Sequence, residues 1–299
     1  MEQKAYLILN ADDYGICEQT NAAIFELFEQ GLITSASLMA VGPRAPQAAQ
    51  MAASVSYPVG LHLCFNSDNK HNRWKSLSAA PSLNDAQGLY YDQKKLARRA
   101  KSCDIVCEME AQYQFLRRAG CLPDHADSHC GTLYGINGRL FFMDAFRFCQ
   151  KYNLPFRLPK SPRFLDRQFG GKAPSVLLPL HRAVVKRGLA MGVRLLDDML
   201  TNPDPIRKIQ RYEVLRAYYM DALREIGPGV TELFLHPSYS PGFYGDPEDE
   251  WTKRDYELRL LRSGDLLQLA ADLGIQLVSW KEAFSFPSLE GCPQGGVVK

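Results

Sequence analysis

The sequence lacks the patterns that would assign several function classes directly. No apolar run approaches the ~18–20 residues that a membrane span requires, and the short apolar run that ends at Asp12-Asp13 is not typical of a signal peptide. No G-x-G-x-x-G follows the first predicted strand and no G-x-x-x-x-G-K-[ST] is present, so nucleotide binding is disfavoured. A G-x-S-x-G motif is also missing, which disfavours an esterase with a serine nucleophile.

The charge and the cysteines are equally unspecialised. The 299 residues include 35 Lys and Arg against 33 Asp and Glu, so a net charge of +2 gives no reason to expect a nucleic-acid or membrane partner. The eight cysteines are scattered without C-x-x-C spacing, which is typical of reduced thiols and predicts a cytoplasmic protein. With 46% apolar and 23% charged residues, the chain is expected to form a globular fold.

Short apolar runs alternate with amphipathic stretches along most of the chain. This alternation predicts an α/β fold with a parallel sheet, either doubly wound or a (β/α) barrel. The expected strands are 5–11, 37–41, 59–64, 124–130, 156–158, 231–236 and 275–280, and the expected helices are 17–30, 46–53, 92–119, 138–152, 176–190, 207–226 and 254–273. Residues 66–91 and 159–205 lack a clean period and are interpreted as insertions in a single domain of residues 1–284, which an irregular tail, 285–299, follows.

Ionisable side chains collect on these strands, where parallel α/β folds place their functional groups. Period two puts three of them, at positions 125, 127 and 129, on one face of the fourth strand. Burying several ionisable groups is costly unless they are paired or bind a metal. The set is Asp12, Asp13, His62, His125, Asp127, His129 and His236.

An Asp–His–His set suits one divalent cation with open positions for water, but the residue types do not choose among zinc, nickel, cobalt, manganese and magnesium. Plainer interpretations remain open: Asp-Asp-Tyr-Gly can be a turn after a strand, and His236-Pro237 can simply hydrogen-bond a loop. His71 and His181 fall in irregular sequence and are interpreted as surface residues. Cys103 and Cys107 are interpreted as core packing.

Five motifs in this order resemble those of the YdjC-like carbohydrate deacetylases, the chitooligosaccharide deacetylase family. They are Asn10-Ala11-Asp12-Asp13-Tyr14-Gly15, Gly31-Leu32-Ile33-Thr34-Ser35, Gly60-Leu61-His62-Leu63, His125-Ala126-Asp127-Ser128-His129 and His236-Pro237. The resemblance implies a distorted or incomplete TIM-like (β/α) barrel. It also implies removal of acetyl groups from N-acetylated sugars with the help of one divalent metal ion, magnesium or zinc. A small carbohydrate is the partner it implies, and a homodimer stays open.

The resemblance also implies roles for individual residues. Asp13, His62 and His129 occupy the positions of the metal ligands. Asp12 matches the general base and His236 the general acid. Arg157, in Pro155-Phe156-Arg157-Leu158-Pro159, resembles an arginine near the active site, and His125 and Asp127 are assigned with it to substrate binding.

The chain departs from the family pattern where Cys130-Gly131 follows His129, because further histidines are usual there, and where Cys64-Phe65-Asn66 follows Leu63. Two competing functions stay open: a metal-dependent hydrolase of another amide or of a phosphoester, and a non-catalytic sugar-binding protein. The irregular segments 66–91 and 159–205 are expected to border the metal site as lids, with Trp74 or Tyr90 facing a sugar ring.

Overall fold

A computed structural model describes residues 4–69, 72–135, 138–240 and 248–285. Its centre is one parallel sheet that curls into a barrel, which confirms the predicted fold class. The strands are β1 Ala5–Tyr14, β2 Ser35–Leu38, β3 Val59–Leu63, β4 Ala126–Ser128, β5 Phe156–Pro159, β6 Leu195–Leu196, β7 Asp198–Leu200, β8 Gly229–Leu235 and β9 Gln276–Leu277.

Helices cover the outside of the barrel, as expected of βα units. They are α1 Glu18–Glu29, α2 Ala45–Val55, α3 Gln93–Arg99, α4 Ser102–Arg118, α5 Phe142–Tyr152, α6 Arg163–Gln168, α7 Leu177–Ala190, α8 Ile206–Ile209, α9 Tyr212–Arg224, α10 Glu248–Arg262, α11 Asp265–Asp272 and α12 Trp280–Ala283, with a 3₁₀ turn at His129–Tyr134. In the part of the chain described, no helix combines the length and apolar character that crossing a membrane requires.

The ring of strands is completed by one bent segment. The strands β1 to β5 lie side by side in the order β5-β4-β3-β2-β1, and β8 pairs with the other edge of β1. The chain from Leu195 to Leu200 pairs with β5 through β6 and with β8 through β7, and the two strands are separated only by Asp197. The backbone N–H of Asp197 donates to Val230 O at 2.8 Å, and the Asp197 carbonyl accepts from Ser161 N at 3.0 Å.

The two faces of the strands differ in polarity, as β1 shows. Leu7, Leu9 and Ala11 pack outward against the helices in the main apolar core. Ile8 packs instead with a small apolar group that includes Trp280, and this group closes one end of the barrel interior. Above this apolar group the barrel interior is polar, because the inward-facing positions 10 and 12 of β1 are Asn and Asp. Both side chains are buried. Ionisable groups buried in such an interior must be paired with one another, because an unpaired buried charge is costly.

Several predicted elements are shorter than the sequence patterns indicate. The predicted helix 92–119 is broken between α3 and α4, because Ala100 is extended at ψ 134°. The predicted helix 254–273 is broken at Gly264, whose φ of 73° ends α10. The last strand is reduced to Gln276–Leu277. The prediction that Cys103 and Cys107 pack in the core is wrong, since both are exposed.

Segment 159–205 contains the predicted helix near 176–190 as α7, but it also supplies β6 and β7, two barrel strands that the sequence pattern did not predict. The described residues of segment 66–91 are irregular, as predicted, but they are attached to α4. The buried Glu108 carboxylate of α4 accepts from Leu77 N at 3.1 Å, Ser78 N at 2.8 Å and the Tyr90 hydroxyl at 2.5 Å. Trp74 and Tyr90 are 2% and 0% exposed, so the expectation that they face a sugar ring is also wrong. His71 and the tail 286–299 lie outside the described residues.

Candidate active site

The two neighbouring aspartates of β1 both reach the carboxyl end of the barrel. In a regular strand their side chains would point to opposite faces. Asp13 instead has φ 68°, and the register of β1 against β2 shifts between Ala11 and Tyr14. Asp tolerates this left-handed conformation better than most residues. The local kink brings both carboxylates to the same end of the barrel interior, where each is at most 2% exposed.

His62 lies on the inward face of β3, two residues after Gly60. Its Nδ1 is 2.7 Å from Asp127 Oδ1, so the ring donates to that carboxylate and directs Nε2 toward Asp13. Nε2 lies 3.3 Å from Asp13 Oδ1. Burial lowers the pKa of His62, but the Asp127 and Asp12 carboxylates outweigh it and raise the pKa to about 10. The negative potential that holds this proton is equally suited to hold a cation.

His129 follows β4 directly and begins the 3₁₀ turn. Cys130 and Gly131 have φ values of 51° and 63°, so the chain turns sharply behind His129. The ring directs Nδ1 to Asp13 Oδ1 at 3.2 Å, and its Nε2 donates to Asp68 Oδ1 at 2.7 Å. Asp68 comes from the irregular segment 66–91, and the sequence analysis did not predict it.

Three ligand atoms therefore form a compact triangle: Asp13 Oδ1, His62 Nε2 and His129 Nδ1. Its sides are 3.2, 3.2 and 3.3 Å. Ligands at about 2.0–2.1 Å around a tetrahedral ion lie about 3.3–3.4 Å apart. Asp13 Oδ1 is buried and accepts no hydrogen bond of ordinary geometry, as expected of an atom that faces a cation. The three residues thus fit one divalent metal ion.

Arg254, from α10, lies on the other side of Asp13. One of its Nη atoms is 2.6 Å from Asp13 Oδ2. Burial raises the pKa of Asp13, but Arg254 and the two histidines outweigh it and hold the pKa well below its usual range. The carboxylate therefore stays ionised, with one oxygen on the guanidinium and the other on the triangle.

Asp12 is clamped by a second guanidinium in the barrel interior. Arg157 of β5 donates to both oxygens of Asp12 at 2.7 and 2.8 Å, and Asn10 donates to Oδ1 at 2.7 Å. The same guanidinium donates to Glu232 at 2.8 and 2.9 Å and lies 2.8 Å from Asp127. Burial raises the pKa of Glu232 to about 6 even though Arg157 lowers it. The two hydrogen bonds from Arg157 to the Asp12 oxygens fix the plane of the Asp12 carboxylate.

The connected buried groups carry an unbalanced formal charge. Asp12, Asp13, Asp127 and Glu232 contribute four negative charges when ionised. Arg157 and Arg254 contribute two positive charges. The excess of negative charge in this group raises the pKa of His62, and it would equally favour a cation bound at the triangle, because uncompensated buried charge is costly.

His236 follows β8 and is the most accessible of the predicted catalytic residues, with a side chain 34% exposed. Its Nε2 lies 3.8 Å from Asp12 Oδ2, and its Nδ1 lies 3.9 Å from Glu257 Oε2. Glu257 of α10 also accepts the backbone N–H of His236 at 2.7 Å, which fixes the end of the strand. Burial lowers the pKa of His236 below its usual value despite the nearby carboxylates.

The three residues assigned to substrate binding lie deeper in the barrel than the triangle. His125 and Asp127 are 0% exposed and Arg157 is 3% exposed. The His125 ring stacks on Trp280 at 4.4 Å, with Nδ1 on Asp124 at 2.7 Å and Nε2 on Ser37 Oγ at 3.1 Å. As the period of two predicts, positions 125, 127 and 129 lie on one face. Each side chain lies closer to the carboxyl end of the barrel than the one before it, so only His129 reaches the triangle.

Sequence reasoning missed four residues of the site: Asp68, Glu232, Arg254 and Glu257. Glu232 was detectable in principle, since it is a charged residue inside the apolar strand 231–236 and is fully buried. Arg254 and Glu257 lie three residues apart on α10, a spacing that places them on one helix face. That pattern is common on solvated helices, so it carries no signal by itself.

Comparison with known proteins agrees with this geometry. The family model described as "YdjC-like protein" matches residues 6–272. The chain belongs to the YdjC-like family. Relatives named "Carbohydrate deacetylase" from Geobacillus stearothermophilus and Mus musculus are each 28% identical to this member of the family, and the alignments cover 93% and 96% of this chain and 98% and 97% of theirs.

A solved structure of a putative cellobiose-phosphate cleavage protein from Enterococcus faecalis V583 shares the fold of this YdjC-like chain. The TM-score is 0.73 at 22% identity, and the match covers 93% of this chain and 98% of that one.

Proposed function

We propose that this protein is a metal-dependent hydrolase that removes acetyl groups from N-acetylated sugars or oligosaccharides. The observation that carries the proposal is the triangle of Asp13, His62 and His129 beside the clamped carboxylate of Asp12. Membership of the YdjC-like family and the names of the bacterial and mammalian relatives support the same activity.

The Asp–His–His set would hold one divalent metal ion. Two imidazoles favour a borderline ion such as zinc over magnesium, which prefers oxygen ligands. When bound, such an ion polarises the acetyl carbonyl and acidifies a water molecule. No two-metal site of the kind used by many phosphoesterases is needed to account for the triangle.

Asp12 is proposed as the general base. Arg157 and Asn10 hold its oxygens from within the barrel, and Oδ2 also faces His236 at the opening. A carboxylate held in this way can take a proton from water without rotating. General-base assistance of this kind contributes about 10²–10⁴-fold to a rate.

His236 is proposed as the general acid that protonates the leaving amine. It is partly exposed, so the amine of a sugar can reach it, and Glu257 holds its backbone. Its lowered pKa makes the protonated ring a stronger acid but reduces the protonated fraction at neutral pH. The Asp12 oxygen 3.8 Å away is the group nearest to stabilise the imidazolium during turnover.

The burial of His125, Asp127 and Arg157 favours positioning roles over substrate contact. Asp127 orients the His62 ring, and Arg157 orients Asp12. His125 supports Ser37, which also accepts a hydrogen bond from Arg157 at 3.1 Å.

The seven described cysteines are free, which is consistent with a cytoplasmic location.

The decisive experiment measures acetate released from N-acetylglucosamine oligomers by the purified protein, with and without a chelator. We expect release to stop on chelation, to return with added zinc, and to be lost in Asp13→Ala. Asp221→Asn, a change in an exposed aspartate of α9, serves as the control and should leave release unchanged. Acetate release that survives both the chelator and Asp13→Ala would contradict the proposal.

A further inference from the structure

Asp68 stands apart from the other site residues because it comes from no strand or helix. It lies at the start of the irregular segment 66–91, and its side chain is 18% exposed. Its Oδ1 lies 2.7 Å from His129 Nε2. Because a carboxylate oxygen can only accept there, His129 carries its proton on Nε2. In the neutral ring, the form that binds a metal ion, the lone pair is then on Nδ1, the atom that faces Asp13 and His62.

Each histidine of the triangle thus donates through one ring nitrogen to a carboxylate and presents its other ring nitrogen to the triangle, and the two rings use opposite nitrogens for these contacts. His62 donates through Nδ1 to Asp127 at 2.7 Å and presents Nε2. His129 donates through Nε2 to Asp68 at the same distance and presents Nδ1. A carboxylate on the non-ligating nitrogen fixes the tautomer and ring orientation and increases ligand basicity.

Several hydrogen bonds hold Asp68 in position. Its backbone N–H donates to Asn72 O at 3.1 Å, and the neighbouring Ser67 N–H donates to Tyr91 O at 2.9 Å. The buried Trp74 indole donates to Asp68 Oδ1 at 3.4 Å. Leu77 and Ser78 of the same segment donate to Glu108 on α4. The irregular chain therefore presents this carboxylate from a fixed support.

We propose that Asp68 is a positioning residue that holds His129 with Nδ1 toward the metal ion, so that segment 66–91 sets the metal affinity of the site. This inference rests on the proposed function, since it assumes the metal ligands Asp13, His62 and His129. It gives the segment a role that differs from the predicted lid over the substrate.

The test is the dissociation constant for zinc, measured by competition with a chromophoric chelator on the full chain. We expect Asp68→Ala to weaken binding by about 10–100-fold. Asp68→Asn keeps an oxygen that can accept from Nε2, so its loss should be clearly smaller. The control Asp85→Asn changes a carboxylate of the same segment that pairs with Arg73, and we expect less than a twofold change.

The thermal midpoints of the metal-free variants show whether the substitutions act through folding alone, and we expect the Asp68 variants to stay close to the unmodified protein. Unchanged zinc affinity in Asp68→Ala, together with lost binding in Asp13→Ala, would overturn this inference and leave the proposed function standing. Unchanged binding in Asp13→Ala would overturn the proposed function itself. Equal losses in Asp68→Ala and Cys130→Ser would also overturn the inference, since they would assign the ion to the Asp68, His129 and Cys130 group.

Discussion

The substitution Gly60→Ala tests how tightly the barrel interior is built beneath the site. A Cβ at Gly60 would lie 2.1, 2.3 and 2.4 Å from three neighbouring atoms of the His125 ring. Such similar distances place the added methyl group over the ring face. Trp280 is stacked on the same ring with an interplanar angle of 10°, so the ring has little space to retreat.

The cost follows from what must move. Ordinary Cβ contacts lie at 3.4–4 Å, so the ring has to shift by more than 1 Å. Such a shift disturbs its contacts with Asp124 and Ser37, both of which involve buried polar atoms. Overpacking of this kind costs about 1–3 kcal/mol. We expect the upper value, because stacking and hydrogen bonds both resist the shift, and a loss of this size lowers the thermal midpoint by roughly 5 °C.

Differential scanning calorimetry of the metal-free protein measures this effect. Gly227→Ala is the control, since nothing lies within 4 Å of its added Cβ. In the double variant Gly60→Ala with His125→Ala the overlap is removed, so the two losses should be less than additive. A midpoint for Gly60→Ala that matches the control, or strictly additive losses in the double variant, would refute the proposed overlap.

Three further predictions concern single carboxylates. Asp12→Asn should keep zinc content, measured by atomic emission, yet lower acetate release by about 10²-fold or more; full turnover would place the base elsewhere. Glu108→Ala should speed hydrogen exchange of the Leu77 and Ser78 amides and destabilise the fold by about 2 kcal/mol in urea titrations, because both amides lose a charged acceptor; unaltered exchange would show that Glu108 does not anchor the segment. Glu232 has a pKa raised from 4.5 to about 6, so its folded form binds protons more tightly and stability falls as pH rises through that window. The free energy of unfolding should therefore fall by about 2 kcal/mol between pH 4 and 7 relative to that of Glu232→Gln. Unfolding free energies that change with pH in parallel in the two proteins would contradict the raised pKa of Glu232.

The alternation of strands and helices was enough to predict an α/β fold with a parallel sheet, because burial on both faces leaves a clear apolar signal in β1, β3 and β8, whereas the barrel was implied only by the family resemblance. It was not enough for β6 and β7, which contain two and three residues. Strands this short owe their pairing to the neighbours on either side. Local sequence therefore cannot distinguish them from a loop.

The candidate site shows the same division. Period two and the ends of strands correctly predict that His62 and His129 lie together near the carboxyl end of β1, in a group that could hold a metal ion. The shared orientation of Asp12 and Asp13 depends on a positive φ that the pattern does not encode. Asp68 and Arg254 enter from a loop and from a distant helix. Their contacts result from tertiary packing, which a pattern of local periods does not contain.

The bent segment from Leu195 to Leu200 has a consequence for the order of assembly. Its first half pairs with residues near 156–159 and its second half with residues 231–233, so neither half alone closes the ring. The chain between β1 and β5 can form its pairings from neighbouring units, whereas the seam needs both flanks in place. Non-local pairings of this kind form late, because chain entropy must be lost before they contribute. We therefore expect the ring to close last at this seam, where Asp197 donates to Val230 and accepts from Ser161, on the wall opposite β2 and β3 in strand order.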